Sequence, residues 1–213
     1  MNNRILAITA MLLSLNMSMG QAAEHQVATP FSQAMKHFRE GAYYDAISIF
    51  LALAEQGDHD AQYNAAFILH DGIGVPQDYV KALELALLAK LGNVKRADEL
   101  AEDLSDIVPE DRLEGIYANV LKQLENKVAA GDISYITQMA HYYSDILNPA
   151  DEDQALTWWM LATALNIKDA KKTRDELASS FEVPRLLEVQ ANAKAIFEEQ
   201  KFAEKFLKPH PKD

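Results

Sequence analysis

The stretch that decides the fold is AQYNAAFILHDGIGVPQDYVKALELALLAKLGN, from Ala61 to Asn93. Two alanine- and leucine-rich segments flank the run GIGVPQD, in which Gly72 and Gly74 are separated by one residue. A dinucleotide-binding loop needs three glycines after a strand, and a P-loop needs Gly-Lys-Ser or Gly-Lys-Thr, so neither phosphate-binding motif fits. We therefore interpret the run as a turn. Gly72 ends one helix in a left-handed conformation, Gly74 and Pro76 shape the turn, and Asp78 caps the next helix.

Similar helix breaks recur along the chain. The breaking residues are Gly57, Gly92, Gly131 and Asn166, which lie 35, 39 and 35 residues apart. A period in the middle thirties predicts one pair of helices per unit, close to the ~34 residues of tetratricopeptide repeats.

A longer duplication lies over this short period. Ala82 matches Ala155, and GNVKRA at 92–97 matches LNIKDA at 165–170, both with an offset of 73 residues. ADELA at 97–101 also echoes RDELA at 174–178, with an offset of 77. The duplication predicts a helical domain at 31–207 made of two related modules, at about 31–130 and 131–207.

Apolar residues within each unit recur at helical spacing. In the segment that begins at Tyr43, apolar residues fall at i, i+3, i+4, i+7, i+10 and i+11, which is one face of an α-helix. The pattern predicts an all-α protein with ten helices. Their predicted positions are about 31–40, 43–56, 59–71, 78–91, 94–105, 109–129, 132–146, 152–165, 168–180 and 184–206.

The first unit resembles the Sel-one-like repeat family, whose helix pairs are related to tetratricopeptide repeats. The matching residues are Ala61, Ala65, Ala66, Gly72, Gly74, Val75, Asp78, Ala82 and Ala86. The second unit is a worn copy, in which NPADED replaces the glycine turn, Asp151 stands in for Asp78, and Gln154 could complete a capping box. The resemblance implies an α-α superhelix, or solenoid, of about five antiparallel helix pairs.

The N-terminus has the layout of a secretory signal peptide. Arg4 precedes an apolar run, and small residues follow it at Gly20, Ala22 and Ala23. We expect a signal peptide at 1–22, a short linker at 23–30 and a disordered tail at 208–213. The expected location is the bacterial periplasm or the exterior, with no stable membrane association after signal cleavage.

Charge and composition narrow the function. The chain has no cysteine, which excludes disulfides, thiolate metal sites and a cysteine nucleophile. The formal net charge of −12 disfavours nucleic acid and anionic lipid as partners. We expect no catalytic residue, metal site or cofactor, since the adjacent His70 and Asp71 lack further ligands at metal-binding spacing and no serine lies in a nucleophile motif.

The favoured function is a non-catalytic adaptor that binds another protein. In related repeats the first helix of each pair lines the concave face, and the negative charge predicts a partner with a basic patch. The residues that the resemblance places on this face are Tyr63, Phe67, His70, Gln138, His141 and Tyr142. Two alternatives stay open: a binder of a small ligand or metal, and a cell-envelope enzyme, related to peptidoglycan, with a carboxylate in the groove.

Overall fold

The computed structural model describes residues 29–207, and these form α-helices that pack against their neighbours in sequence. The helices are α1 Pro30–Arg39, α2 Tyr43–Gln56, α3 His59–Asp71, α4 Tyr79–Leu91, α5 Arg96–Ile107, α6 Glu110–Ala129, α7 Tyr135–His141, α8 Glu152–Ala164, α9 Ala170–Ala178 and α10 Val183–Glu199. The all-α prediction is confirmed for these residues, and their packing is consistent with a repeat-like array. The predicted signal peptide, the tail at 208–213 and the linker up to residue 28 lie outside the described residues.

Two of the predicted helices change their winding. The segment predicted at 132–146 is the short helix α7 followed directly by a π-helical segment, Tyr142–Ile146. The segment predicted at 184–206 ends as α10 at Glu199, and a second π-helical segment follows at Ala203–Leu207. A π-helix widens the turn, so the side chains that follow it point in directions that an α-helical pattern does not predict.

The glycine run of the first unit joins α3 to α4. Gly72 is left-handed, with φ 69° and ψ 32°, and the Asp78 carboxylate accepts a hydrogen bond from the Lys81 N–H at 3.0 Å. A Cβ at Gly74 would lie 2.6 Å from the Cβ of Tyr43, so only glycine lets the turn approach the start of α2 this closely.

The worn turn of the second unit keeps the cap without the glycines. The Asp151 carboxylate accepts from the Gln154 N–H at 3.0 Å. The Asp151 N–H, which a capping box would give to the Gln154 side chain, instead donates to the Tyr143 carbonyl at 2.9 Å. In the first unit the Asp78 N–H donates in the same way to the Leu69 carbonyl, at 3.0 Å.

Small residues let the helices approach closely. The motif alanines Ala65, Ala66, Ala82 and Ala86 are all fully buried. Helix α4 has nine of its 13 residues buried, because neighbouring helices cover almost its whole circumference. Its sequence is therefore apolar on nearly every side.

The 73-residue duplication is visible in the backbone hydrogen bonds. At the end of α4 the Val94 N–H donates to the Ala89 carbonyl at 3.0 Å, and at the end of α8 the Ile167 N–H donates to the Ala162 carbonyl at 3.0 Å. The residues in left-handed conformation are Asn93, with φ 64°, and Asn166, with φ 61°. The two turns therefore have one geometry, the Schellman type.

The helices pack in the same relations on both sides of this duplication. Helix α4 contacts α3, α5 and α6, and helix α8 contacts α7, α9 and α10. A simple series of five antiparallel pairs does not describe this arrangement, because α6 packs on α4, and α10 on α8, across the intervening helix.

Two details of the sequence interpretation need correction. The left-handed residue after α4 is Asn93 rather than Gly92, whose φ is −80°. Gly92 is required for space, since a Cβ there would overlap the His59 ring. The echo of ADELA in RDELA is out of register by four residues, about one helical turn, because the turns coincide at an offset of 73.

Candidate functional site

A groove runs between helices α5 and α6 and the segment Tyr142–Asn148. It consists of two adjoining cavities of about 670 and 320 Å³, which share Ser105 and Tyr117 as lining residues. We call it the seam groove, because it lies where the first module meets the π-helical segment of the second. The apolar side chains that line it are Leu87, Ala101, Val108, Leu113, Tyr117, Leu121, Ile146 and Leu147.

The edges of the seam groove are acidic. Asp98, Glu102 and Asp106 are spaced four residues apart on α5, which places them on one face of the helix. The opposite side of α5 turns Ala97, Leu100 and other apolar residues into the core. The carboxylates that line the groove are Asp98, Glu102, Asp106, Glu110, Glu114 and Asp145.

Tyr142 anchors the π-helical segment beneath the groove. Its side chain is buried, and its hydroxyl donates to the Tyr117 carbonyl at 3.0 Å. Burial is the main cause that raises the pKa of Tyr142 to about 12, helped by Tyr143, Tyr117 and Glu125. The phenol is therefore neutral at physiological pH and holds α6 against the second module.

His141 lies at one end of the groove, in a side cavity of about 220 Å³ that also includes Lys90 and Asp98. Its Nδ1 is 2.7 Å from Oδ2 of Asp145, and its ring packs edge-on against Trp159, with ring centroids 5.1 Å apart. The hydrogen bond from His141 is the largest cause that lowers the pKa of Asp145, and Ser144 adds a second hydrogen bond. Asp145 is therefore an ionised acceptor that orients the imidazole ring.

The chemistry of this cluster is limited by the direction of its serine. The Ser144 hydroxyl donates to Asp145 at 2.6 Å rather than to His141. A serine nucleophile needs the histidine as its base, so these three residues do not have the geometry of a catalytic triad. Among residues 29–207, no group of three or more His, Asp or Glu side chains is placed to hold a metal ion.

The predicted binding residues of α3 lie outside the cavities of the seam groove. Tyr63 is covered by the Arg96 guanidinium, 4.5 Å from the ring centroid. Phe67 packs edge-on against Phe38 at 6.4 Å, and His70 pairs with Asp71 at 2.7 Å. The structure thus gives each of these side chains a partner within the protein.

The predicted binding residues of the second unit separate. His141 is partly exposed and reaches the side cavity, whereas Gln138 and Tyr142 are only 6% and 3% exposed. Burial removes Gln138 and Tyr142 from any surface that a partner could touch in this conformation. The reason is that α7 and the π-helical segment are covered by α8 and α6, a contact that helix periodicity alone does not reveal.

A buried contact between the modules was missed by the sequence interpretation. His59 at the start of α3 approaches Gln62 at 2.8 Å through Nδ1 and Gln138 at 3.1 Å through Nε2. With Gln62 accepting from Nδ1, the neutral ring uses Nε2 to accept from the Gln138 amide. Gly92 is the residue that makes room for the ring, and its pairing with His59 leaves no recognisable signal in a single sequence.

Comparisons with known proteins give no family assignment. No protein-family model matches the chain, and a search of curated proteins finds no match. Within the part of the chain that the structure describes, no helix is long and apolar enough to cross a membrane.

Proposed function

We propose that the protein is an exported, non-catalytic adaptor of the Sel-one-like repeat type, which binds another protein through the seam groove. The motif residues of 61–93 and the repeated packing of α3–α6 and α7–α10 support membership of this repeat class. On this proposal the two modules are successive units of one α-α superhelix. Export to the periplasm or the exterior rests on the sequence of residues 1–22.

The observation that carries the proposal is the composition of the seam groove. Protein interfaces combine an apolar centre with a polar rim, and their strongest contacts come from aromatic side chains. The groove has this arrangement, because half-buried Leu113, Tyr117 and Leu121 line its centre and carboxylates surround them. His141 keeps a place at one end, while Tyr63, Phe67 and His70 lie beyond the groove on α3.

The duplication supplies a matched test. Ala118 lines the groove and is exposed, and Ala191 occupies the equivalent position of α10, also exposed, outside the groove. A photo-crosslinking amino acid at position 118 should capture a discrete partner protein in the native cell. The same amino acid at position 191 should not capture that protein.

Two results would contradict the proposal. One is an identical set of crosslinked proteins from positions 118 and 191, which would mean that the groove is not the contact surface. The other is a lack of any specific product from 118 when the protein is exported at its normal level. Replacing His141 by Ala in the 118 variant then measures whether this end of the groove contributes to capture.

A further inference from the structure

The charge of the seam groove is far more asymmetric than that of the chain as a whole. Residues 98–114 include eight acidic residues and one basic residue, Arg112. This stretch, with a net charge of −7, contributes more than half of the formal −12 of the chain. It forms most of α5 and the start of α6, which are the two helices that border the groove.

The carboxylates at the groove edge are not neutralised by the protein itself. Among residues 29–207, no Lys, Arg or His forms an ion pair with Asp98, Glu102, Asp106, Glu110 or Glu114. Lys90 is the one cationic side chain among the described residues that line the two cavities. Like charges that converge on one groove repel each other, and a cationic occupant relieves that repulsion.

Charge alone would suit any cation, so the apolar lining decides the class of occupant. Leu113, Leu121 and Leu147 are half-buried and face the larger cavity, where a small hydrated cation would leave them in water. A segment with apolar side chains on one side and cationic side chains on the other satisfies both features at once.

We infer that the seam groove binds a cationic, amphipathic segment of the partner protein. Apolar side chains of that segment pack between α6 and Leu147, and its lysines or arginines face the carboxylates of α5 and α6. The inference rests on the proposed protein-binding function and specifies the chemistry of the partner. Nucleic acids and anionic membranes do not fit, because their negative charge faces the same carboxylates.

A synthetic peptide tests this directly with the full chain. The probe is a fluorescein-labelled amphipathic peptide of leucine and lysine, about 14 residues long, which spans about 21 Å as a helix. One control peptide has glutamate in place of every lysine, and another has serine in place of every leucine. Fluorescence anisotropy should show that the probe binds at least about tenfold more tightly than either control.

Adjacent acidic residues of α5 provide the matched variants. Glu102 lines the groove, whereas the exposed Asp103 points to a different side of the helix. Glu102→Lys and Asp103→Lys change the net charge by the same amount in the middle of the same helix. We expect Glu102→Lys to weaken peptide binding about threefold to tenfold and Asp103→Lys to change it less than about twofold.

Equal losses in the two variants would overturn the inference, because they would show a general field effect without a groove contact. Equal binding of all three peptides, or no binding of the probe, would also overturn it. Failure of the inference remains distinguishable from failure of the adaptor proposal. If position 118 captures a partner whose crosslinked segment is acidic or uncharged, the groove is an interface but its occupant is not cationic.

Discussion

Helices α3–α6 and α7–α10 share one scaffold but differ in their interior chemistry. Asn119 of α6 donates to the buried Glu84 at 3.3 Å, and Asn192 of α10 donates to the buried Thr157 at 3.3 Å, both across 35 residues of chain. In the first half Glu84 also accepts from Lys81 and Gln123, each at 2.7 Å. The residues 73 positions later than these three are Gln154, Thr157 and Ile196.

The comparison shows which features the scaffold depends on. The capped turns, the small residues and the asparagine pair recur in both halves, whereas the buried ion pair occurs in the first half and a neutral hydroxyl replaces it in the second. A buried charge network is therefore compatible with this fold but is not required by it.

The halves also differ where each turns into its second long helix. The first continues α3 to Asp71 and turns through glycines, whereas the second stops α7 at His141 and inserts the π-helical segment. That segment supplies Ile146 and Leu147 to the seam groove. The candidate site thus arises where the second copy departs from the repeat pattern, as expected when function competes with local regularity.

The largest predicted effect concerns how the second half ends. Phe202 is fully buried, and its ring lies 6.3 Å from Trp158, 6.0 Å from Phe197 and 5.2 Å from Phe206. Phe202→Ala should lower the free energy of unfolding by about 3–5 kcal/mol, because it leaves a cavity. Urea unfolding measures the loss, and hydrogen exchange should locate it mainly in α8 and α10. Leu207→Ala, at a residue that is 50% exposed, is the control and should have little effect.

The next prediction exchanges the interiors of the two halves. Gln123→Leu should cost about 1.5–3 kcal/mol, because the buried Glu84 carboxylate loses a donor at 2.7 Å. The double change Glu84→Thr with Gln123→Ile installs the residues of the second half and removes the buried charge. It should therefore cost less than the single change, as measured by urea unfolding. A double variant less stable than Gln123→Leu would show that the two interiors are not interchangeable.

Close helix packing should respond alike in both halves. Ala66 and Ala82 are fully buried, as are Ala140 and Ala155 at the matching places of the second half. Changing any one of them to Leu should overpack a helix contact and cost about 1–3 kcal/mol. Thermal unfolding is the measurement. An unchanged melting temperature for Ala66→Leu and Ala82→Leu would contradict the close approach inferred from the alanine pattern.

Much of the fold could be predicted because its signals are local. Helix periodicity, the caps at Asp78 and Asp151, and the breaks at Gly57 and Gly131 each depend on a few neighbouring residues. The register between the copies was less certain, since short matches at offsets of 73 and 77 competed. Backbone hydrogen bonds decide between them, because equivalent turns must place equivalent carbonyls.

The candidate site was much harder to predict than the helices. Its acidic edge on α5 has the sequence of an ordinary solvent-exposed helix face, and nothing in a single sequence shows that α6 and Leu147 lie opposite. Tyr142 was expected on a surface, but α6 covers it because α6 packs across α5 onto α4. Such contacts depend on helix directions that the apolar period does not determine.

The smallest predicted effect concerns the Asp145 carboxylate, which the second half uses to hold His141 four residues away. The pKa of Asp145 is lowered from its ordinary value of 3.8, chiefly by the hydrogen bond from His141. The ionised carboxylate therefore stabilises the folded state fully above that ordinary value, and the contribution is lost as the pH falls through the lowered pKa. Because the Asp145 side chain is 48% exposed, Asp145→Asn should cost less than about 1 kcal/mol near neutral pH. Urea unfolding of both proteins should show this difference shrinking towards zero below about pH 3. Ser144→Ala, which removes the second donor to Asp145, should give a smaller change of the same sign, and a pH-independent difference for Asp145→Asn would assign its effect to packing.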